Sequence, residues 1–253
     1  MKRTLARLYW LASLDGLDSL RPPGFDVMLI IIAGLGGVLA SIQPLSEPYS
    51  AARVVLDPTL FTVALFLALR GSSGLAHSIR SGVVEVYLSY PVSRWQAALA
   101  LLLSRIIVPA ATLLAAPLAV AGIVLYGVIA RDPAGYLLVY AGYLVQALLY
   151  GTVFALMAVA AKSPGTASVA SITFYFAYNV IWIISQALAG QVAWLERLSS
   201  SLYYNYVVYR VAIARGTGAP LEVPVLDATL VPLATLLAAA AFTVYIARRF
   251  EPT

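Results

Sequence analysis

The chain has 253 residues, of which 62% are hydrophobic and 11% are charged, and its mean hydropathy is +0.89. A soluble domain has roughly 45–50% apolar and about 25% charged residues, so this chain has too few charges to cover a surface that faces water. The composition therefore predicts an integral membrane protein. The length fits one domain of about six membrane-spanning helices of about 20 residues each.

Composition also excludes several kinds of chemistry. The chain has no cysteine and only one histidine, His77. Disulfides, iron–sulfur clusters and thiol catalysis are thereby excluded, and a transition-metal site is not expected. The formal net charge of +5 comes from arginines and lysines beside the predicted membrane ends. This placement indicates membrane orientation rather than binding to nucleic acid.

Residues 1–24 are predicted to form an amphipathic helix that lies in the membrane interface. A cleaved signal peptide is not favoured, because Asp15, Asp18 and Arg21 interrupt any apolar core. The alternative is a frayed basic tail. The apolar residues that share one side of the predicted helix are Leu5, Leu8, Tyr9, Ala12 and Leu20.

Residues 25–253 are predicted to form one transmembrane domain that contains six continuous apolar stretches. Helices are required, because unpaired backbone groups in lipid cost several kcal/mol each, so the predicted fold class is all-α. Asp57 and Pro58 are predicted to start the second stretch. Pro109 and Pro117 should kink or break the third stretch, which leaves one bent helix or two pieces. The stretches are about Phe25–Ile42, Asp57–Leu75, Trp95–Ile129, Pro133–Ala161, Thr166–Leu188 and Val223–Ala247.

The basic residues predict how the helices are oriented. Eleven of the sixteen lie in the N-terminal segment, the 71–94 segment and the other segments on the same side. That side should face the cytoplasm, so both termini are expected there. The aromatic segment 190–222 is expected outside, as a re-entrant or interfacial segment of one or two short helices. The five basic residues of the outer set are Arg53, Arg131, Arg197, Arg210 and Arg215.

Sequence motifs for catalysis are absent. The chain has no G-x-x-x-x-G-K-[ST] phosphate loop, no H-E-x-x-H and no G-x-S-x-G. We therefore expect no enzymatic activity in this chain alone. An intramembrane enzyme would need paired ionisable residues within the spans, and the sequence indicates none.

The segment Ser81–Arg94, SGVVEVYLSYPVSR, is a polar and turn-rich interruption between the second and third stretches. Its middle is predicted to be a short helix or strand. Val86, Tyr87 and Leu88 would offer apolar side chains to a groove in a soluble partner. Glu85 would pair with a basic group of that partner.

This segment is similar to the G-T-L-E-x-L-L-x-x-P-V-S-R stretch of type-2 ABC exporter permeases. Val83 and Val84 replace the usual threonine and leucine. An acid often precedes the glycine in the family and is missing here, and Leu101 stands where a lysine often occurs. The layout of an N-terminal interfacial helix, six spans and a long external loop also matches. The matching positions are Gly82, Glu85, Leu88, Pro91, Val92, Ser93 and Arg94.

The resemblance implies a permease subunit of an exporter in the cytoplasmic membrane. In the family, this segment is a cytoplasmic coupling region that docks on a separate ATPase subunit, which binds ATP and Mg. A second permease copy or a paralogue would complete the complex, and this chain would hold no cofactor. The alternative is a membrane anchor or assembly subunit that transports nothing.

Polar residues inside the spans have two possible roles. Gln146, Asn179 and Gln186 either join helices by hydrogen bonds or face a substrate path. A small-residue face on the fourth stretch, formed by Gly142, Gly151 and Ala155, predicts tight packing inside the chain or within a dimer. Arg105 is expected to reach the membrane surface by snorkelling. The spans would then hold no buried charge, which favours an apolar or amphipathic cargo.

Overall fold

The computed structural model describes residues 9–16, 24–42, 47–89, 92–161, 163–188, 193–221 and 223–249, and all regular structure in these ranges is helical. Six of the helices are long and apolar enough to cross a membrane, which confirms the predicted class and number. Called the first to sixth spans below, they are Gly24–Ile42, Pro48–Arg80, Arg94–Val124, Pro133–Ala160, Pro164–Leu188 and Val225–Arg249.

Shorter helices connect the spans. Residues 9–16 form a helix before the first span. Val83–Ser89, called the connector helix below, lies between the second and third spans, and Tyr126–Ile129 follows the third. Ala193–Leu202 and Tyr204–Thr217, called the helix pair, lie between the fifth and sixth spans.

The second span begins at Pro48, so the prediction that Asp57 and Pro58 form its first turn is wrong. Proline is favoured in a first turn because the N–H that it lacks would have no helical partner there. Pro48 and Pro58 both fit this rule, and the sequence does not distinguish them. Pro58 lies inside the helix, and the Asp57 carboxylate accepts a hydrogen bond from Arg53 Nε at 3.3 Å instead of capping a helix.

The third span passes through both of its prolines as one helix. Its irregular part is a π-helical stretch, Leu103–Ile107, directly before Pro109. Val108 N–H donates to the carbonyl of Leu103, five residues back, and Pro109 has no N–H to donate. The helix ends at Leu125, where φ is −107° and ψ is 28°.

The second span has a π-helical stretch of its own, Leu67–Ser72, which contacts that of the third span. Gly71 makes this approach possible. A Cβ atom at Gly71 would lie 3.0 Å from the carbonyl oxygen of Arg105. The backbones of the two irregular stretches therefore approach closely at Gly71, beside the side chain of Ile106.

The fourth span lies at the centre of the bundle and contacts the second, third, fifth and sixth spans and the helix pair. Its predicted small-residue face is buried. Gly142 faces Val208 of the helix pair, and Gly151 faces Ile106 of the third span. Helices of the same chain therefore occupy this face.

The helix Tyr204–Thr217 lies along the fourth span. Near one end its Tyr204 N–H donates to Gln146 Oε1 at 2.9 Å, and near the other end Arg215 pairs with Asp132 at 3.3 Å. Gln146 is thirteen residues after Pro133, the start of the fourth span, which is about 20 Å along the axis at about 1.5 Å per residue. The helix pair thus reaches the middle of the fourth span.

The ends of the helices fall into two groups. At one end, Arg80 of the second span donates to the carbonyl of Ala161, and the sixth span packs against the first turns of the third. At the other end, Arg215 meets Asp132. The two groups of helix ends match the two sets of basic segments that the sequence assigns to opposite sides of the membrane. Which end faces the cytoplasm stays a prediction.

The contact between the first and third spans depends on one glycine. A Cβ atom at Gly36 would lie 2.7 Å from both the Cα and the carbonyl oxygen of Pro117. Gly36→Ala should therefore push the helices apart and destabilise the protein by about 1–3 kcal/mol. Thermal unfolding in mild detergent measures the effect.

The matched control is Gly34→Ala on the same helix, where no neighbouring atom lies within 4 Å. That variant should be neutral or more stable by about 1 kcal/mol, and equal melting temperatures would contradict this packing.

Candidate functional site

The connector helix is set off from the second span by a tight turn. The second span ends at Arg80, and Ser81 N–H donates to the carbonyl of His77 at 2.8 Å. Gly82 then has a φ of +78°, a left-handed conformation that glycine adopts without steric cost. The carbonyl of Gly82 accepts the first helical bond, from Val86 N–H at 3.1 Å. The matching glycine of the motif thus supplies the turn between the two helices.

The other motif residues lie on both sides of this helix. Glu85 is exposed in its first turn. Val92 is half-buried, and Ser93 is the N-cap of the third span, which begins at Arg94. Ser93 N–H donates to Gln96 Oε1 at 2.8 Å, as in one half of a capping box. Two predicted contacts, the side chain of Leu88 and the whole of Pro91, lie outside the part of the chain that the structure describes.

The connector helix has an outer and an inner face. Val86 is 57% exposed, whereas Val84 is fully buried. Tyr87 packs against the protein interior, and its hydroxyl donates to Asp15 Oδ1 at 3.0 Å. The prediction that Tyr87 is offered to a partner is therefore wrong, because its hydroxyl finds a carboxylate within the chain. Glu85 and Val86 remain available on the outer face.

Asp15 joins four elements at this end of the bundle. Its carboxylate accepts hydrogen bonds from Arg105 Nε at 2.8 Å and Nη2 at 2.7 Å, and a further one from the hydroxyl of Ser104. Arg105 Nη2 also donates to Ser78 Oγ of the second span at 3.3 Å. Together with Tyr87, these bonds tie the 9–16 helix to the connector helix and to the second and third spans.

The Asp15–Arg105 ion pair is buried. The side chains are 1% and 10% exposed. The prediction that Arg105 snorkels to the surface is therefore wrong, and so is the prediction that the spans hold no buried charge. Arg105 has no need to reach water, because the bidentate carboxylate neutralises it where it lies. Gly74 leaves room for the guanidinium, since a Cβ atom there would lie 2.6 Å from Arg105 Nη1.

The 9–16 helix has a protein-facing side and an exposed side. Leu11 is fully buried against Ala97 and Ala100 of the third span. Tyr9 and Trp10, by contrast, are 76% and 45% exposed. Insertion of this exposed side into the membrane interface stays a prediction.

The three polar span residues, Gln146, Asn179 and Gln186, lie near the helix pair. Gln146 is fully buried and accepts from Tyr204 N–H, as a residue that joins helices. Asn179 donates to the carbonyl of Tyr175 at 2.7 Å and accepts from the hydroxyl of Tyr203. Burial raises the pKa of the Tyr203 hydroxyl well above its usual range, so it stays a neutral donor. Gln186 is exposed and lines a cavity.

Two adjoining cavities separate the helix pair from the second and fifth spans. Trp182 and Tyr206 line both of them. The first has a volume of about 310 Å³ and the second of about 220 Å³. Asn179 lines the second cavity, so two of the three polar span residues predicted from the sequence line cavities. The other residues of the second cavity are Asp57, Leu60, Phe61, Tyr150, Tyr175, Tyr203 and Asn205.

No family model and no curated protein matches the sequence.

Because the Asp15–Arg105 pair is buried, breaking it should cost much more stability than breaking an exposed ion pair of this chain. Asp15→Ala leaves the Arg105 guanidinium buried without its carboxylate and should cost about 3–5 kcal/mol of stability. Arg215→Ala breaks a pair whose side chains are 51% and 22% exposed, and should cost less than about 1 kcal/mol. Thermal unfolding in detergent compares the two variants.

A second substitution separates the charge effect from lost packing. Arg105→Met added to Asp15→Ala removes the unpaired charge and keeps an apolar side chain of similar length. The double variant should regain part of the lost stability. If Asp15→Ala lowered the stability no more than Arg215→Ala does, the Asp15–Arg105 pair would not be a strongly stabilising contact.

Proposed function

We propose that this chain is the permease subunit of a type-2 ATP-binding cassette exporter. In this proposal ATP and Mg bind to a separate ATPase subunit, and the connector helix is the surface on which that subunit docks. The single observation that carries the proposal is the connector. The motif segment holds a helix of its own, Val83–Ser89, between the second and third spans. This helix includes the matching residues Glu85 and Leu88, and Glu85 and Val86 are exposed on it.

The hydrogen bonds that hold the connector helix support a role in passing movement from the ATPase subunit to the spans. Its inner face is held by the bond from Tyr87 to Asp15, and Asp15 is held by Arg105 of the third span. A displacement of the helix by a bound partner would therefore act directly on the second and third spans. An ordinary flexible loop would absorb such a displacement.

The rest of the proposal concerns the setting of the subunit. The chain would lie in the cytoplasmic membrane with both termini and the connector inside, because the larger share of the basic residues lies on that side. A second copy or a paralogue and two ATPase subunits would complete the exporter. A non-transporting anchor has the same spans, and the experiment below distinguishes it.

The test places the same substitution at the two ends of the bundle. Val86→Asp puts a carboxylate on the exposed face of the connector helix, where Val86 is 57% exposed. The control, Val225→Asp, changes a valine that is 78% exposed at the start of the sixth span, at the opposite end. An acid is well tolerated there, near a helix N-terminus. Each tagged protein is purified from native membranes in mild detergent, and bound proteins are identified by mass spectrometry.

We expect a protein with a phosphate loop to co-purify with the unaltered chain and with Val225→Asp. Val86→Asp should lose at least about nine-tenths of it, since a charge buried against an apolar groove is costly. Equal recovery with both variants would remove the connector helix from docking. Recovery of only non-ATPase partners by the unaltered chain would overturn the exporter proposal in favour of the anchor.

A further inference from the structure

The smaller cavity, of about 220 Å³, is an aromatic and partly open cavity at mid-height in the bundle. It lies between the second, fourth and fifth spans and the start of the helix Tyr204–Thr217. Tyr150 is the eighteenth of 28 residues of the fourth span, and Tyr175 the twelfth of 25 of the fifth. Six aromatic side chains line it, namely Phe61, Tyr150, Tyr175, Trp182, Tyr203 and Tyr206.

Two buried polar atoms of the lining residues have no hydrogen-bond partner among the residues that the structure describes. They are Oδ1 of Asn205 and Nε1 of Trp182. Asn205 is 1% exposed. A buried polar group without a partner costs about 1–3 kcal/mol, and native proteins rarely leave such a group unpaired. Two such atoms around one cavity indicate that something polar occupies it.

The lining of the cavity includes the Asp57 carboxylate and no basic side chain. That carboxylate already accepts hydrogen bonds from Arg53 Nε at 3.3 Å and from the hydroxyl of Tyr143, so the aromatic rings must supply most of the attraction for a cation. The positive partner of Asp57 is Arg53, which does not line this cavity. Ring faces carry negative potential and attract cations, most strongly where water is excluded.

The aromatic residues here already hold one cation. The guanidinium carbon of Arg53 lies 4.8 Å from the ring centre of Tyr206 and 4.7 Å from that of Tyr209. Tyr206 belongs to the cavity wall as well. The local chemistry is thus suited to positive charge on rings, next to a carboxylate.

We propose that this cavity binds a small organic cation, an ammonium group with apolar substituents of about the size of choline. The charge would lie against the ring faces and near Asp57. The unpartnered Asn205 Oδ1 would accept from a hydroxyl or N–H of the ligand, and the Trp182 N–H would donate to it. This inference does not depend on the exporter proposal, because it concerns binding to the chain alone.

The test compares two molecules of one shape. Choline and 3,3-dimethyl-1-butanol differ in having a quaternary nitrogen or a carbon at the centre, so only the first is charged. The purified chain is placed in nanodiscs of phosphatidylglycerol, which offer no competing choline head group, and binding is followed by tryptophan fluorescence. We expect choline to bind about tenfold more tightly. Equal affinity would show an apolar cavity and overturn the proposal, as would no binding of either molecule.

Two variants locate the binding in this cavity. Phe61→Leu removes one ring from the wall at a residue that is 44% exposed and should weaken choline binding about threefold. Its matched control is Phe176→Leu on the fifth span, a residue 49% exposed that does not line the cavity. Asp57→Asn should abolish the preference for choline, because Arg53 is left without its carboxylate.

Retained melting temperatures show that each variant is folded. Choline binding that is unchanged in Phe61→Leu and Asp57→Asn would overturn the assignment. The outcome is independent of ATPase recovery, so failure here and failure of the exporter proposal are told apart.

Discussion

Close packing on the fourth span is the constraint on which the rest of this bundle depends. Lipid offers helices no hydrophobic reason to associate, so membrane helices are held together by van der Waals contact and hydrogen bonds. Gly142 lets the helix pair approach through Val208, and Gly151 lets the third span approach through Ile106. Because both contacts lie on the fourth span, this one helix positions both the helix pair and the third span. Larger residues at the two glycines would separate the elements that form the cavity and the connector.

The second span runs from the smaller cavity to the Asp15–Arg105 ion pair beside the connector helix. Phe61 lies in the cavity wall and Ser78 contacts Arg105, seventeen residues further along. This separation is about 25 Å at about 1.5 Å per residue. The π-helical stretch Leu67–Ser72 lies between them. Short stretches of this kind often mark functional positions within a helix. One continuous helix, whose least regular turn lies midway, therefore connects the cavity wall with the contact to Arg105.

The sequence predicts the number of spans, the helical class and a polar interruption between the second and third spans. Those features follow from local composition, since unpaired backbone in lipid permits few alternatives. The sequence could not predict the Asp15–Arg105 pair. The two residues are 90 positions apart, and each taken alone fits a surface role. The wrong start of the second span has a similar cause, because Pro48 and Pro58 satisfy the same local rule and only tertiary packing chooses between them.

Tyrosine explains why the cavity is invisible in a hydropathy profile. The chain has sixteen tyrosines, and each counts among the hydrophobic residues although it offers both a ring face and a hydroxyl. Tyr143 donates to Asp57, and Tyr203 donates to Asn179. Spans that appear apolar by composition thus surround a cavity with polar atoms in its walls. The chemistry of such a cavity depends on which faces of the tyrosines the fold brings together, which a hydropathy profile does not report.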